Sequence, residues 1–174
     1  MSCYLIGDPH LSHKNIANFR AFVSSPEENT KLFVDSWTNT IKKQDIVFLL
    51  GDVAFDKAGL DLLGNLKGRK ILIKGNHDPL VSTADQLAVF EEIHGMLRYK
   101  KLWLTHCPIH PQEMRRCVGN AHGHLHHNYV LKRNWYGRKV LDPQYLNCCV
   151  DINYQKYKSP FITLDEVKKH FHLK

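Results

Sequence analysis

Four short segments of this 174-residue chain gather side chains that bind cations: Asp8-Pro9-His10, Gly51-Asp52, Gly75-Asn76-His77-Asp78 and Gly123-His124-Leu125-His126. His106 stands alone between the third and the fourth. Aspartate oxygens, imidazole nitrogens and an asparagine carbonyl are intermediate-to-hard donors, which suit manganese, iron, zinc or nickel better than a soft thiolate site would. No cysteine lies in any of the four segments. Carboxylates and imidazoles crowded together without a cation repel or stay desolvated, at roughly a few kcal/mol each. A pair of divalent ions removes that problem. Two ions about 3.5–4 Å apart can clamp both the attacking and the leaving oxygen of an in-line displacement at phosphorus, so the donor set points to phosphate-ester chemistry.

The elements that must hold these groups are legible in the pattern. Three of the four segments follow apolar runs of strand-like composition, Cys3 to Ile6, Ile46 to Leu50 and Lys70 to Lys74, and the carboxyl ends of strands are where open α/β sheets build their sites. Ser25-Pro26-Glu27-Glu28 has capping-box spacing with proline at the first helical position, and Phe33, Trp37 and Ile41 then recur every four residues as the stripe of a helix packed on a sheet. Leu60, Leu63 and Leu66 mark a short helix, which completes a βαβ layout. Further on, two extended stretches are expected around Lys100-Lys101, the second leading into His106. Tyr129 to Lys132, Lys139 to Leu141 and Tyr145 to Ile152 read as strands, and Thr163-Leu164-Asp165-Glu166 as the capping box of a last helix. Spacing alone leaves the number of sheets open.

The ordered set D-x-H, G-D, G-N-H-D, H and G-H-x-H resembles that of the calcineurin-like metallophosphoesterases, and Gly7-Asp8-Pro9-His10-Leu11-Ser12-His13-Lys14-Asn15-Ile16 resembles a small bacterial and phage branch of them. The resemblance covers nearly the whole chain. It implies an α/β fold of two facing, mostly β-sheets flanked by helices on both outer sides (α/β/β/α layers), within a single domain spanning 1–174. It also implies roles: Asp8, His10 and His126 on a first metal, Asn76, His106 and His124 on a second, and Asp52 bridging them. His77 would contact the phosphate and protonate the leaving oxygen, with Asp78 orienting its imidazole. The implied cofactor is two divalent ions, manganese first, with iron, nickel or zinc as alternatives, and the implied nucleophile is a metal-bound hydroxide. Pro9 departs from the usual pattern, and spacing by two selects His124 and His126 over His122 and His127.

Composition frames the rest. The length and 43% hydrophobic content suit one domain with a real core. The first strand begins at once and ends in a ligand, so no cleavable signal is expected there; no apolar run approaches the roughly 20 residues of a membrane span. Five cysteines, odd in number and without C-x-x-C spacing, fit a reducing cytoplasm. Cys148 and Cys149 are expected to alternate across a strand. His94, His110, His170 and His172 match no motif, and Asp45, Asp56 and Asp61 read as turn or helix-end carboxylates.

A net charge of +7 favours an anionic partner: a phosphate ester, nucleotide or nucleic acid rather than a membrane. Arg115 and Arg116, in the loop between His106 and the G-H-x-H motif, are either substrate groups or solvated surface; His13 is either a wall of the cleft or structural. Lys132 to Lys139 interleaves bases with Trp135 and Tyr136, which reads as a soluble hairpin or as a grip on phosphates and bases. A phosphodiesterase is favoured. The alternatives are a phosphomonoesterase or nuclease, and, more remotely, a non-catalytic scaffold on the same fold.

Overall fold

The computed structural model describes all 174 residues. The first half runs β1 (Cys3–Ile6), α1 (Pro26–Thr40), β2 (Ile46–Leu49), α2 (Lys57–Gly64), β3 (Arg69–Ile73), α3 (Thr83–Val89) and β4 (Glu92–His94). The second half continues with β5 (Met96–Tyr99), β6 (Leu102–Thr105), β7 (Gly119–His122), β8 (Leu131–Arg133), β9 (Lys139–Leu141), β10 (Tyr145–Asn147), α4 (Val150–Tyr157), β11 (Ile162–Thr163) and α5 (Leu164–His170). The fold is α/β. A five-stranded sheet in the order β11-β1-β2-β3-β4 is parallel except for β11, and a four-stranded sheet in the order β10-β7-β6-β5 is parallel except for β5. Strands β8 and β9 form a hairpin of their own.

Alternation along the strands sets the two cores. Leu5, Phe48, Leu50, Ile71 and Ile73 of the first sheet pack against Leu102, Leu104, Ala121, Leu146 and Cys148 of the second. The other face of the first sheet, with Ile6, Val47, Leu49 and Leu72, is covered by Phe33, Trp37 and Ile41 and by Leu60 and Leu63 of α2. The expected stripe is thus core. Ser25 caps α1 by accepting from the Glu28 N–H, and Thr163 and Glu166 form the reciprocal capping box of α5. Asp56 caps α2, and Asp45 accepts from the N–H groups of Ser2 and Lys42, the turn and cap roles expected of them.

Two expectations need correction. The run Tyr145 to Ile152 is strand only through Asn147: the Asn147 side chain accepts from the Cys149 N–H and turns the chain, and Cys149 stands at the start of α4. The outer face of the second sheet carries Trp103, Asn120 and Tyr145, and the segment from Ile109 to Met114 covers it by hydrogen bonds to all three side chains, in place of an α-helix. No helix is long and apolar enough to cross a membrane.

Candidate metal centre

Beyond the strand ends the backbone keeps pairing while it turns. The Asp8 N–H donates to the Gly51 carbonyl (3.1 Å), His10 to Asp52 (3.1 Å) and Leu11 to Val53 (2.9 Å), so the first two motifs lie side by side. Asp8, His10, Asp52, His124 and His126 all have left-handed backbone, with φ of 58°, 54°, 53°, 70° and 50°. That conformation is disfavoured by about 1–2 kcal/mol per residue for side chains with a Cβ. Its concentration at five candidate ligands gathers the backbone strain of this region into one cluster of turns. Gly75 lets two turns touch: a Cβ there would run into the carboxylate and amide of Asp52.

The side chains converge as the spacing requires. Ligand atoms of Asp8, His10 and His126 lie within 4.8 Å of one another, as do those of Asp8, Asp52 and His106. Asp52 Oδ2 is 3.9 Å from His10 Nε2 and 3.4 Å from His106 Nε2, so one oxygen looks toward both groups. Asn76 Oδ1 is 2.9 Å and His124 Nδ1 3.2 Å from His106 Nε2. All seven expected ligands therefore share one place. His122 does not join them: it is buried with Nδ1 2.7 Å from the Gly123 carbonyl, and burial pushes its imidazole down to about 4.

Three atoms here have no protein partner although they are buried: Asp8 Oδ1 and both ring nitrogens of His10. Leaving such groups unpaired is unfavourable by about 1–3 kcal/mol each, more for a charge. A divalent cation on this oxygen and nitrogen set would satisfy Asp8 Oδ1 and His10 Nε2, the ring nitrogen that faces the Asp8 and Asp52 carboxylates, so the residues fit a metal. The charges agree. Burial alone would raise Asp8 and Asp52, but the imidazoles around them, His10 and His106 foremost, hold both below the usual carboxylate range. Burial opposes protonation of His106, yet the Asp52 and Asp8 carboxylates raise it to about 9.

His77 sits at the rim. Its ring lies along Phe55 (4.9 Å between centroids), its side chain is 45% exposed, and Nε2 is 3.9 Å from Asp52 Oδ2. Asp78 does not orient that imidazole. Its buried carboxylate accepts from the backbone N–H groups of Asp52 (3.0 Å), Val53 (2.9 Å) and Gly75 (2.6 Å), tying the Gly51-Asp52 turn to the Gly75-Asn76 turn. A cleft of about 390 Å³ opens over the centre, lined by His10, His13, Phe19, His77, His124 and His126 among others. His13 is therefore a wall of the cleft, edge-on to Phe55 (4.4 Å) and His10 (5.5 Å).

Arg115 and Arg116 do not reach it. They are exposed, and the Val118 N–H two residues on donates to the Lys101 carbonyl, at the start of β6 and β7. The candidate ligands His106 and His124 follow the opposite ends of those strands. The loop leaves one ligand but returns along the outer face of the sheet to the far edge, so the two arginines belong to the surface.

The sequence reading missed the support beneath the ligands. Arg20, 2% exposed, donates to both Asp151 oxygens (3.2 Å each), to the Asp8 carbonyl (2.8 Å) and to the Pro9 carbonyl (3.3 Å). Asn29 accepts from Arg20 and donates to the Pro9 carbonyl. Asp151 in turn lies 3.0 Å from His126 Nδ1, leaving Nε2 for a metal. Cys149 donates to Asp8 Oδ2 (2.9 Å), and Cys107 offers sulfur beside His106 and His124. None of these follows a local motif; Cys107, adjacent to His106, is the one a wider window would have caught.

No protein-family model matches the chain. It is 33% identical over 135 residues to the uncharacterized protein MJ1445 of Methanocaldococcus jannaschii, covering 73% of this chain and 70% of that protein. It is 26% identical over 172 residues to the gene 66 protein of Mycobacterium phage L5, covering 79% and 83% respectively. Among solved structures it matches the protein of unknown function AQ665 from Aquifex aeolicus with a TM-score of 0.70 at 24% identity, over 97% of this chain and 98% of that one, a likeness of fold.

Proposed function

This chain belongs to the family of the M. jannaschii MJ1445 protein, and from the chemistry of its candidate centre we propose that it is a phosphoesterase of the calcineurin-like metallophosphoesterase kind, using two divalent ions to hydrolyse phosphodiesters of nucleotide or other small-molecule type. One observation carries the reading: seven oxygen and nitrogen donors from five separate turns meet around Asp8 Oδ1 and the His10 ring, buried atoms that no protein group satisfies. The two facing sheets, with every one of those turns at strand ends, support the two-sheet part of that architecture, without its helix layer over the second sheet.

Asp8, His10 and His126 would hold one ion, Asn76, His106 and His124 the other, and Asp52 would be shared. Manganese suits the set first, with iron, nickel or zinc as alternatives. Bound there, such ions supply charge to the phosphoryl oxygens and activate water at neutral pH. The chain does the rest. Asp52 fixes His77 by accepting its backbone N–H (2.8 Å), and Phe55 stacks on the ring, so the half-exposed imidazole faces the cleft where a leaving oxygen would need a proton. His13 and Phe19 close the other side of the cleft.

Diester preference rests on charge. A monoester dianion calls for additional cationic side chains, and no lysine or arginine lines this cleft. The test is hydrolysis of an aryl phosphodiester beside the matching monoester, on metal-stripped protein resupplied with Mn²⁺, Ni²⁺, Zn²⁺ or Mg²⁺. Faster diester turnover supports the proposal, monoester preference replaces it with a phosphomonoesterase, and inactivity with every metal returns the chain to a scaffold.

A further inference from the structure

The β8–β9 hairpin leaves the cleft directly: Asn128 lines the cleft, and β8 begins at Leu131. It hydrogen-bonds to neither large sheet. Large apolar side chains that a free-standing hairpin would be expected to hide are exposed on it, Trp135 at 84% and Tyr136 at 66%, with their ring centroids 3.5 Å apart at the tip. Tyr129, Leu131 and Leu141 at its base are about half exposed as well.

Its charges are arranged against its own stability. Arg133 and Lys139 are directly opposite across the strands, and like charges in that register destabilise a β pair. Neither has an acidic partner: the hairpin's ion pair joins Lys132 to Asp142 at 3.6 Å, and Arg133 donates instead to the Gly137 carbonyl at 2.7 Å. Arg138 adds a further cation next to Lys139, and the sequence from Asn128 to Leu141 contains no acidic residue. An unpartnered cationic pair beside exposed aromatic rings is the pattern by which single-stranded nucleic acid is held, phosphates on the cations and bases on the rings.

We propose that this hairpin is a docking arm for single-stranded nucleic acid, with phosphates between Arg133 and Lys139 and a base on Trp135 or Tyr136. A polymer with both groups fits better than a membrane or a second copy of the chain. A bilayer of neutral lipid offers the paired cations no net negative charge, and a second copy docked tip to tip would set the same cations against each other. The arm deepens the phosphodiester reading by naming a substrate class, yet its binding needs no metal.

The experiment is anisotropy of a fluorescein-labelled 15-mer of deoxythymidine, with inorganic polyphosphate as a base-free competitor, on the full chain in EDTA at several salt concentrations. Wild-type protein should bind with an affinity that falls as salt rises. Trp135→Ala should weaken the oligonucleotide about fivefold or more while leaving polyphosphate unchanged, because base stacking is the part removed. Arg133→Ala with Lys139→Ala should weaken both ligands. Absence of oligonucleotide binding at low salt, or equal binding by wild type and Trp135→Ala, overturns the proposal. So does concentration-dependent self-association that Trp135→Ala abolishes, which would assign the tip to a second copy. Aryl diester hydrolysis, measured on the same variants with metal restored, should be unchanged. An inactive wild type that still binds the oligonucleotide would sink the catalytic reading and leave the arm standing.

Discussion

Asp151 holds His126 Nδ1 at 3.0 Å with the same carboxylate that Arg20 grips through both oxygens, so a helix residue and a buried guanidinium set the direction of a candidate metal ligand. A carboxylate behind an imidazole fixes its tautomer and strengthens it as a donor. Arg20 extends the same network to the Asp8 and Pro9 carbonyls, which joins two ligand turns that are more than a hundred residues apart in sequence.

Replacing Asp151 by asparagine should therefore lower metal affinity about 10–100-fold without altering any ligand, as read by competition with a chromogenic chelator. The pH dependence of stability should change with it. Burial would raise the Asp151 carboxyl, but His126 and Arg20 hold it well below the usual range, and Asp151 raises His126 against burial. A depressed carboxyl stabilises the fold above its unfolded value of about 3.9 and loses that contribution as pH falls; a raised imidazole stabilises below about 6.5 and loses it as pH rises. In metal-free protein the pair therefore contributes most between about pH 4 and 6.5. Denaturant midpoints across that range should drop most there in Asp151→Asn, and a uniform drop at all pH values would count against the coupling.

His77 and Asp78 are neighbours with different work, and their variants should separate. His77→Ala should leave metal content intact and slow alkyl diesters far more than aryl ones, because a good leaving group hardly needs a proton. Asp78→Ala strands two buried N–H groups, each worth about 1–3 kcal/mol, and the part-buried N–H of Gly75, so it should lower the unfolding midpoint and metal content together. If Asp78→Ala instead kept its stability and reproduced the leaving-group dependence of His77→Ala, Asp78 would be an orienting partner of the imidazole after all.

The cleft wall predicts another split. His13→Ala should raise KM for a diester with little change in kcat, since it removes contact made equally in ground and transition states. Arg115→Ala with Arg116→Ala should change neither, because these residues lie at the far edge of the second sheet. A raised KM in the arginine variant would mean that the loop folds over the cleft when substrate is bound.

What could be read from the sequence was local. Apolar runs ending in Asp8, Asp52 and Asn76 announced strands and ligands together, and the Ser25 and Thr163 caps were legible because a cap and its partner lie three residues apart. Arg20 gave no such signal: its partner Asp151 is 131 residues away, and a single arginine between Phe19 and Phe22 belongs to no motif. Asp78 misled for a similar reason. Its adjacency to His77 suggested a pair, while its acceptor atoms are used by backbone groups 25 and 26 residues back, which carry no side-chain signature. The Arg115-Arg116 loop failed on a geometric assumption, that a segment joining two ligand motifs stays beside both. Strand β7 separates its end from His124 by its full length.

Asp52→Asn isolates the charge of the shared position. Asparagine tolerates left-handed backbone at least as well as aspartate does, so the φ of 53° at this turn should survive, and one oxygen can still accept the His77 N–H. What is lost is the negative charge between His10 and His106. The His106 imidazole should then titrate below its value of about 9, since Asp52 is the largest of the groups raising it against burial; NMR titration of metal-free protein would show it. On the proposed dinuclear reading, metal content should fall from two ions per chain toward one or none, and diester hydrolysis should disappear with it. Two tightly bound ions and full turnover in Asp52→Asn would remove the residue from the bridging position, whatever became of His106.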